Sequence, residues 1–362
     1  MHNGTKVPRS KVHSDHRLSA KLHMSTNIIL KHKNPLCIRK IAGRPEKDSI
    51  CYRDVASAYH IAPEIMMHTV LVQERVQRYW DDTPCDSELS NRDPHSREYF
   101  LDIERQRYEL QPHILEILSK IDWREKRILE IGTGVGTDAR RIIGNGGHYT
   151  GINIDRGSTD ATNAALRALS LPGVAMQADA TSLHFADGTF DLVYSYGVLH
   201  HIPEATKAVA EIHRVLKPGG ELLVMLYNRT SINYVVEIMF LRKLGLRVLS
   251  VPGAIALLRR MGFPSKKLER HKELRKKLKT MSDQEWLSRN TDGPDNPYSR
   301  VYDAKEAAEL LKAFQIKSNE AYFFDYRHWG AIGGLVPQRV CNALGRRWGW
   351  HRIVYAKKEV QE

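Results

Sequence analysis

Long hydrophobic runs are missing from this chain. The best candidate, Val235 to Leu258, is broken by Glu237, Arg242, Lys243 and Arg247, short of the roughly 18 apolar residues a membrane span needs, so no transmembrane helix is expected. Cysteine is scarce: Cys37, Cys51, Cys85 and Cys341 are scattered with no C-x-x-C pair. That spacing argues against a zinc site and against a secreted disulfide framework, and suits a reducing cytosol. The opening "MHNGTKVPRSKVHSDHRLSAKLHM" has no apolar core of a secretory signal. Acidic residues are few in two stretches. Residues 1–70 hold 12 Lys and Arg against 5 Asp and Glu, and residues 241–280 hold 13 against 2. The whole chain carries +13, so the rest is net acidic, and the basicity belongs to appendages rather than to the core.

What is present falls into five stretches. Residues 1–65 are polar, His- and Lys-rich and weakly periodic, and read as a basic, disordered tail. Their low acidity is also that of an organelle transit peptide, and Met66 or Met67 offers an alternative start. Residues 66–121 have a helical pattern whose Tyr79, Trp80, Tyr99, Phe100 and Tyr108 can either cover a pocket or pack helices on a domain edge. Residues 122–232 alternate strand and helix signals, which reads as a parallel sheet. Strands are expected at Arg127–Ile131, Tyr149–Ile154, Val174–Gln177, Leu192–Ser195 and Glu221–Tyr227. Helices are expected at Asp138–Ile143, Thr159–Ala168 and Glu204–Leu216, the last ended by a "KPGG" turn at Lys217–Gly220. Residues 233–298 form a basic helical insertion or lid, closing in the "DGPDNP" loop, and residues 299–362 add a capping box at Asp303 and Glu306 and strands near Glu320–Phe324 and Arg352–Ala356.

The centre of the chain reads "LEIGTGVGTDARR", a strand running into Gly132, Gly134 and Gly136 and then a helix, a turn that offers backbone N–H groups to a ligand. The dinucleotide fingerprint asks for G-x-G-x-x-G, and Thr137 fills its last place, which disfavours NAD. Glu130, at the end of the first strand, can engage the ammonium of an amino-acid-bearing cofactor. The second strand ends "TGINID", where a contact to ribose hydroxyls is expected, and Asp179 in "ADA" can address an adenine edge.

Together "LEIGTGVG", "TGINID", "ADATSL", "FDLVYSYGVLHHI" and "IHRVLKPGGELLVML" resemble the class I S-adenosylmethionine-dependent methyltransferases, in particular the group called methyltransferase type 11. The likeness is strong over Arg127–Tyr227, under a third of the chain. It implies an α/β, Rossmann-like fold: a seven-stranded, mostly parallel sheet with helices on both faces and its last strand antiparallel. The cofactor implied is S-adenosyl-L-methionine, held by Glu130, Gly132, Thr133, Gly134, Gly136, Asn153, Ile154, Asp179, Ala180, Ser195 and Tyr196. At Asn153 the family usually has an acid. An amide can still accept from one hydroxyl and donate to another, while Asp155, two residues on, is either a substitute or a helix N-cap.

Methyl transfer needs alignment and exclusion of water more than a covalent nucleophile. A hydroxyl acceptor gains from a base, and "VLHHIP" offers His201, then His200, just beyond the fourth strand. Packing under the turn is the plainer role for either. Adjacent histidines do not readily chelate one ion, so no metal is expected. Tyr227, Asn228 and Arg229 after the fifth strand, with Tyr79 and Trp80, are candidate acceptor contacts; a loop salt bridge for Arg229 and a helix cap for Asn228 stay open. The basic insertion suits either a helical lid or a helix lying on an anionic membrane, the latter with a lipid-linked acceptor. The expected function is methyl transfer to a small-molecule or lipid-like acceptor, at oxygen before nitrogen or carbon. The protein is expected to be cytoplasmic or peripheral to a membrane, with no obligate protein partner. RNA methylation ranks lower, since no RNA-binding module or interleaved aromatics accompany the basic segment. A non-catalytic cofactor-binding subunit is the other alternative.

Overall fold

The computed structural model describes residues 63–249, 251–260, 274–324 and 336–360. The expectations for the tail up to residue 62 and for residues 261–273 of the insertion lie outside the described residues. From Thr69 onward the described residues form one α/β unit.

Helices α1 (Pro63–Asp82), α2 (Arg97–Leu110) and α3 (His113–Leu118) precede β1 (Arg127–Ile131). Then come α4 (Thr137–Gly144), β2 (His148–Asn153), α5 (Arg156–Ala168), β3 (Val174–Gln177), β4 (Phe190–Tyr196), α6 (Ala205–Val215) and β5 (Leu216–Tyr227). A π-helical stretch, Asn233–Leu241, runs into α7 (Arg242–Val248), followed by α8 (Ala254–Arg260), α9 (Asp283–Ser288) and α10 (Ala304–Leu310). Strand β6 (Gln315–Tyr322), α11 (Gln338–Trp348) and β7 (His351–Lys357) complete the chain.

The seven strands lie in the order β3-β2-β1-β4-β5-β7-β6. Strand β7 is antiparallel to both neighbours and the other pairings are parallel. This is the expected sheet. Because side chains alternate across a strand, each strand feeds two cores. Ile128, Leu192, Tyr194, Leu223, Met225 and Ile353 face one layer, which also holds Ile114, Ile142 and Trp286. Leu129, Ile131, Val193, Leu222, Val224 and Val354 face the other, against Ala208, Val209, Ile212 and Val215 of α6. That spacing puts one stripe of α6 onto the sheet, and each buried Leu or Ile contributes about 1.5–3 kcal/mol over exposure.

The "KPGG" turn departs from expectation. Leu216 already pairs with Phe190, and Glu221 pairs with Leu192, so Lys217–Gly220 bulge out within β5 opposite Asp191 alone. Gly219 takes φ +76 there, a conformation costly for other residues. The Asp303 capping box is present, and Asp155 caps α5 by accepting from the Ser158 N–H at 2.6 Å. No helix among the described residues is long and apolar enough to cross a membrane.

Candidate cofactor and acceptor cleft

Strand order reverses between β1 and β4, and at their C-terminal ends opens a cleft of about 270 Å³. Parallel sheets leave such a crevice where successive crossovers diverge to opposite faces. Its first wall is the turn from β1 to α4. Gly132, Gly134 and Gly136 all take positive φ (+78, +54 and +76), which glycine adopts without steric cost. A β-carbon on Gly132 would overlap a Val198 methyl.

The turn is held by a directional chain of hydrogen bonds. Asn153 Nδ2 donates to Thr133 Oγ1 at 2.7 Å, Thr133 Oγ1 lies 2.5 Å from Thr162 Oγ1, and Thr162 Oγ1 donates to the Gly134 carbonyl at 3.1 Å. Asn153 Oδ1 also accepts the Thr133 N–H at 2.8 Å. Asp179, at the end of β3, accepts from Gln73 of α1 at 2.5 Å and from the Thr181 N–H at 2.8 Å, so α1 closes over this end.

Deeper in the cleft Glu130 is buried and accepts from the Tyr149 hydroxyl at 2.5 Å. Gly151 pairs with Glu130 across β1 and β2, and only its lack of a side chain leaves room for that hydroxyl. Burial, reinforced by Asp138, pushes the Glu130 carboxyl up to about 8, and Arg107 opposes the shift. Arg107 pairs with Asp86 and, at 3.1 Å, with Asp138, which also accepts from Tyr108 and Tyr194. The guanidinium lines the cleft, and its Nε is buried without a hydrogen-bond partner.

The other end is aromatic. His201 Nδ1 lies 2.7 Å from the Tyr298 carbonyl and 3.2 Å from Ser299 Oγ, while Nε2 lies 3.3 Å from Asp292 Oδ2. Asp292 Oδ1 accepts from the Tyr227 hydroxyl at 2.6 Å, and its carbonyl accepts from Tyr79 at 2.5 Å. Burial alone would raise the Asp292 carboxyl, but His201 and the Tyr227 hydrogen bond outweigh it and hold it down at about 2. Trp80 meets the His201 ring edge-on at 5.4 Å. His351 brings the end of the chain into the same wall, because β7 begins opposite Tyr227 where β5 ends.

Of the expected cofactor residues, Glu130, Gly132, Thr133, Gly134, Asn153 and Ile154 line this cleft, as do Asp179, Ala180 and Tyr196. Trp80, His201 and Tyr227 line its aromatic end. Gly136 and Ser195 stand outside it. His200 also stands outside, fully buried against the Tyr227 ring at 3.7 Å; burial holds it well below the usual histidine range, and so neutral. Tyr79 supports Asp292 from behind. Asn228 donates to the Gly349 carbonyl and accepts from Arg352, and Arg229 pairs with Glu306 at 2.8 Å, so neither reaches the cleft. Arg107, Asp292 and His351 were not among the expected residues. No group of three or more metal-ligating side chains occurs among the described residues.

Residues 129–224 match the family model described as "Methyltransferase domain". This segment is a methyltransferase domain. Its boundaries run from β1 into β5, the part of the sheet that carries the glycine turn. The methyltransferase domain is similar to sterol 24-C-methyltransferase ERG6B of Gibberella zeae, 37% identical over 97 residues that make up 26% of each protein. It is also similar to the chloroplastic tocopherol O-methyltransferase of Arabidopsis thaliana, 31% identical over 111 residues, 30% of this chain and 32% of that one. The match thus spans about a quarter to a third of the length of these relatives. Among solved structures, the [4+2]-cyclase SpnF aligns with a TM-score of 0.46 and 18% identity, covering 79% of this chain and 96% of that one.

Proposed function

We propose that this chain transfers a methyl group from S-adenosylmethionine to a hydroxyl of a small-molecule or lipid-like acceptor. The observation that carries the reading is the cleft itself, which joins a cradle suited to an amino acid and nucleoside to an aromatic chamber where the buried His201 pairs with Asp292. The residues present fit the cofactor. Arg107, with its unpartnered Nε, suits a carboxylate, and Glu130 suits an ammonium. The open backbone at Gly132–Gly134 admits close approach, and Asn153 and Asp179, which line the same cleft, suit the ribose and the base.

When bound, S-adenosylmethionine supplies an electrophilic methyl group on a sulfonium. The protein's work is then to place an acceptor oxygen in line and to take its proton. His201 is built for the second task. Its Nδ1 faces the Tyr298 carbonyl, which orients the ring and leaves Nε2, beside Asp292, as the nitrogen that would take the proton. A proton taken at Nε2 creates an imidazolium beside the ionised Asp292, which Tyr227 holds in place. Trp80 and Tyr227 wall the chamber with apolar surface that excludes water and suits a lipid-like acceptor.

The test is transfer of labelled methyl from S-adenosylmethionine into host extract fractionated into small molecules, lipids, RNA and protein. Label in the small-molecule or lipid fraction is expected, with loss of about 100-fold or more in rate for His201→Ala and no transfer for Gly134→Val. Label confined to RNA, or cofactor binding with no labelled fraction, would overturn the reading. Undiminished turnover of His201→Ala would remove that residue as the base.

A further inference from the structure

Large apolar side chains left exposed are normally scattered over a protein surface. Here they are not. Of the sixteen exposed large apolar residues among the described residues, eight fall between Val235 and Leu257. Val236, Phe240, Leu244 and Val248 recur every four residues along the π-helical stretch and α7, which sets them in one stripe, and Leu257 on α8 is 60% exposed. The opposite side of the same stretch is the one that packs inward, through Asn233, Glu237, Ile238 and Leu246.

Charge on this segment has one sign. No Asp or Glu occurs between Glu237 and Glu269, while Arg242, Lys243, Arg247, Arg259 and Arg260 do. Glu237 itself is buried and bonded to Arg242 at 2.5 Å and to Asn233 at 3.1 Å, so it contributes no negative charge to the outer face. Arg247 and Arg260 are exposed beside the apolar stripe.

We propose that this face docks on the surface of an anionic lipid bilayer. Apolar side chains at helical spacing enter the headgroup boundary, and flanking arginines meet lipid phosphates and carboxylates. The charge argues for this occupant over a second copy of the chain, because two such faces would bring like charges together. Nor do the described residues of the segment offer exposed aromatics in series to stack single-stranded bases, since among them Phe240 stands alone. The inference does not depend on which molecule accepts the methyl group.

The test is flotation of the full chain with vesicles of phosphatidylcholine alone and of phosphatidylcholine mixed with phosphatidylglycerol, at low and high salt. Two double variants accompany it, Phe240→Asp with Leu257→Asp and Arg247→Glu with Arg260→Glu. Retained S-adenosylmethionine binding and an unchanged melting temperature report that each is folded. Binding to the mixed vesicles is expected, weakened at least about tenfold in both variants, with salt weakening it further. Absence of binding by the parent chain would overturn the proposal. So would binding that both variants retain, which would place the attraction on the basic N-terminal stretch. Dimerisation abolished by the apolar variant, or RNA binding abolished by the charge variant, with vesicle binding unaltered in either case, would assign the face to those partners instead. Failure of methyl transfer would leave this result untouched.

Discussion

Asn153 stands where the resembled family carries an acid, and the structure gives the amide a use that a carboxylate lacks. Three protons run one way, from Asn153 to Thr133, to Thr162, to the Gly134 carbonyl. With Asp at 153, Thr133 must donate backwards, and the single Thr162 proton can then serve Thr133 or Gly134 but not both. One buried acceptor is left short, at a cost of about 1–2 kcal/mol. Asn153→Asp should therefore lower the denaturant midpoint, and an unaltered midpoint in that variant would mean the chain of hydrogen bonds is not what holds the turn. Glu130 makes a second prediction at this scale. Its carboxyl, raised to about 8 by burial, is mostly protonated at neutral pH and must ionise to hold an ammonium. Cofactor binding at pH 7 should release about one proton per site, seen by calorimetry in buffers of different ionisation heat, and Glu130→Gln should release none.

At the scale of elements, the junction between α11 and β7 decides where His351 stands. A β-carbon on Gly349 would overlap the carbonyls of Tyr322 and Gly345, and the Gly349 carbonyl itself accepts from Asn228. Gly349→Ala should cost about 1–3 kcal/mol in denaturant unfolding, because backbone on both sides must move to admit one methyl. Elements bounded by turn residues were legible: β1 and β3 fall on the expected residues because short apolar runs end at polar or glycine-rich breaks. Strand β6 starts at Gln315 rather than near Glu320, since it lies on the sheet edge and Ile316 is the one apolar residue among its first five. The site divides in the same way. The glycine turn, Asp179 and Tyr196 sit in contiguous motifs, whereas Arg107 comes from a helix before the sheet, Asp292 from a loop, and His351 from the last strand. Only tertiary packing brings those three to the cleft, and their immediate neighbours in sequence look like ordinary helix, turn and strand.

For the molecule as a whole, two carboxyls of opposite shift, the buried Glu130 and the partly buried Asp292, contribute to the pH profile. Asp292 joins segments distant in the chain, through Tyr79 of α1, His201 after β4 and Tyr227 at the end of β5. Its folded pKa is about 2 against 3.8 for an ordinary aspartate, so it binds protons more readily unfolded. The stability it contributes is present above about pH 4, is lost as pH falls through 2, and amounts to about 2 kcal/mol. Glu130 runs the other way. Its folded pKa lies above its unfolded value of 4.5, so the folded chain keeps the proton longer, and this contribution, complete below 4.5, disappears as pH rises through about 8. These two contributions together are largest near pH 4–5, while the buried His113 and His200, both held below the usual histidine range by burial, lower stability as pH falls beneath about 6.5. An ammonium placed against Glu130 favours the ionised form and removes the alkaline loss. The rise in melting temperature given by S-adenosylmethionine should therefore grow as pH increases from about 5 to about 8. Asp292→Asn should flatten only the acid limb and Glu130→Gln only the alkaline one; the same acid limb in Asp292→Asn would show that another group sets it.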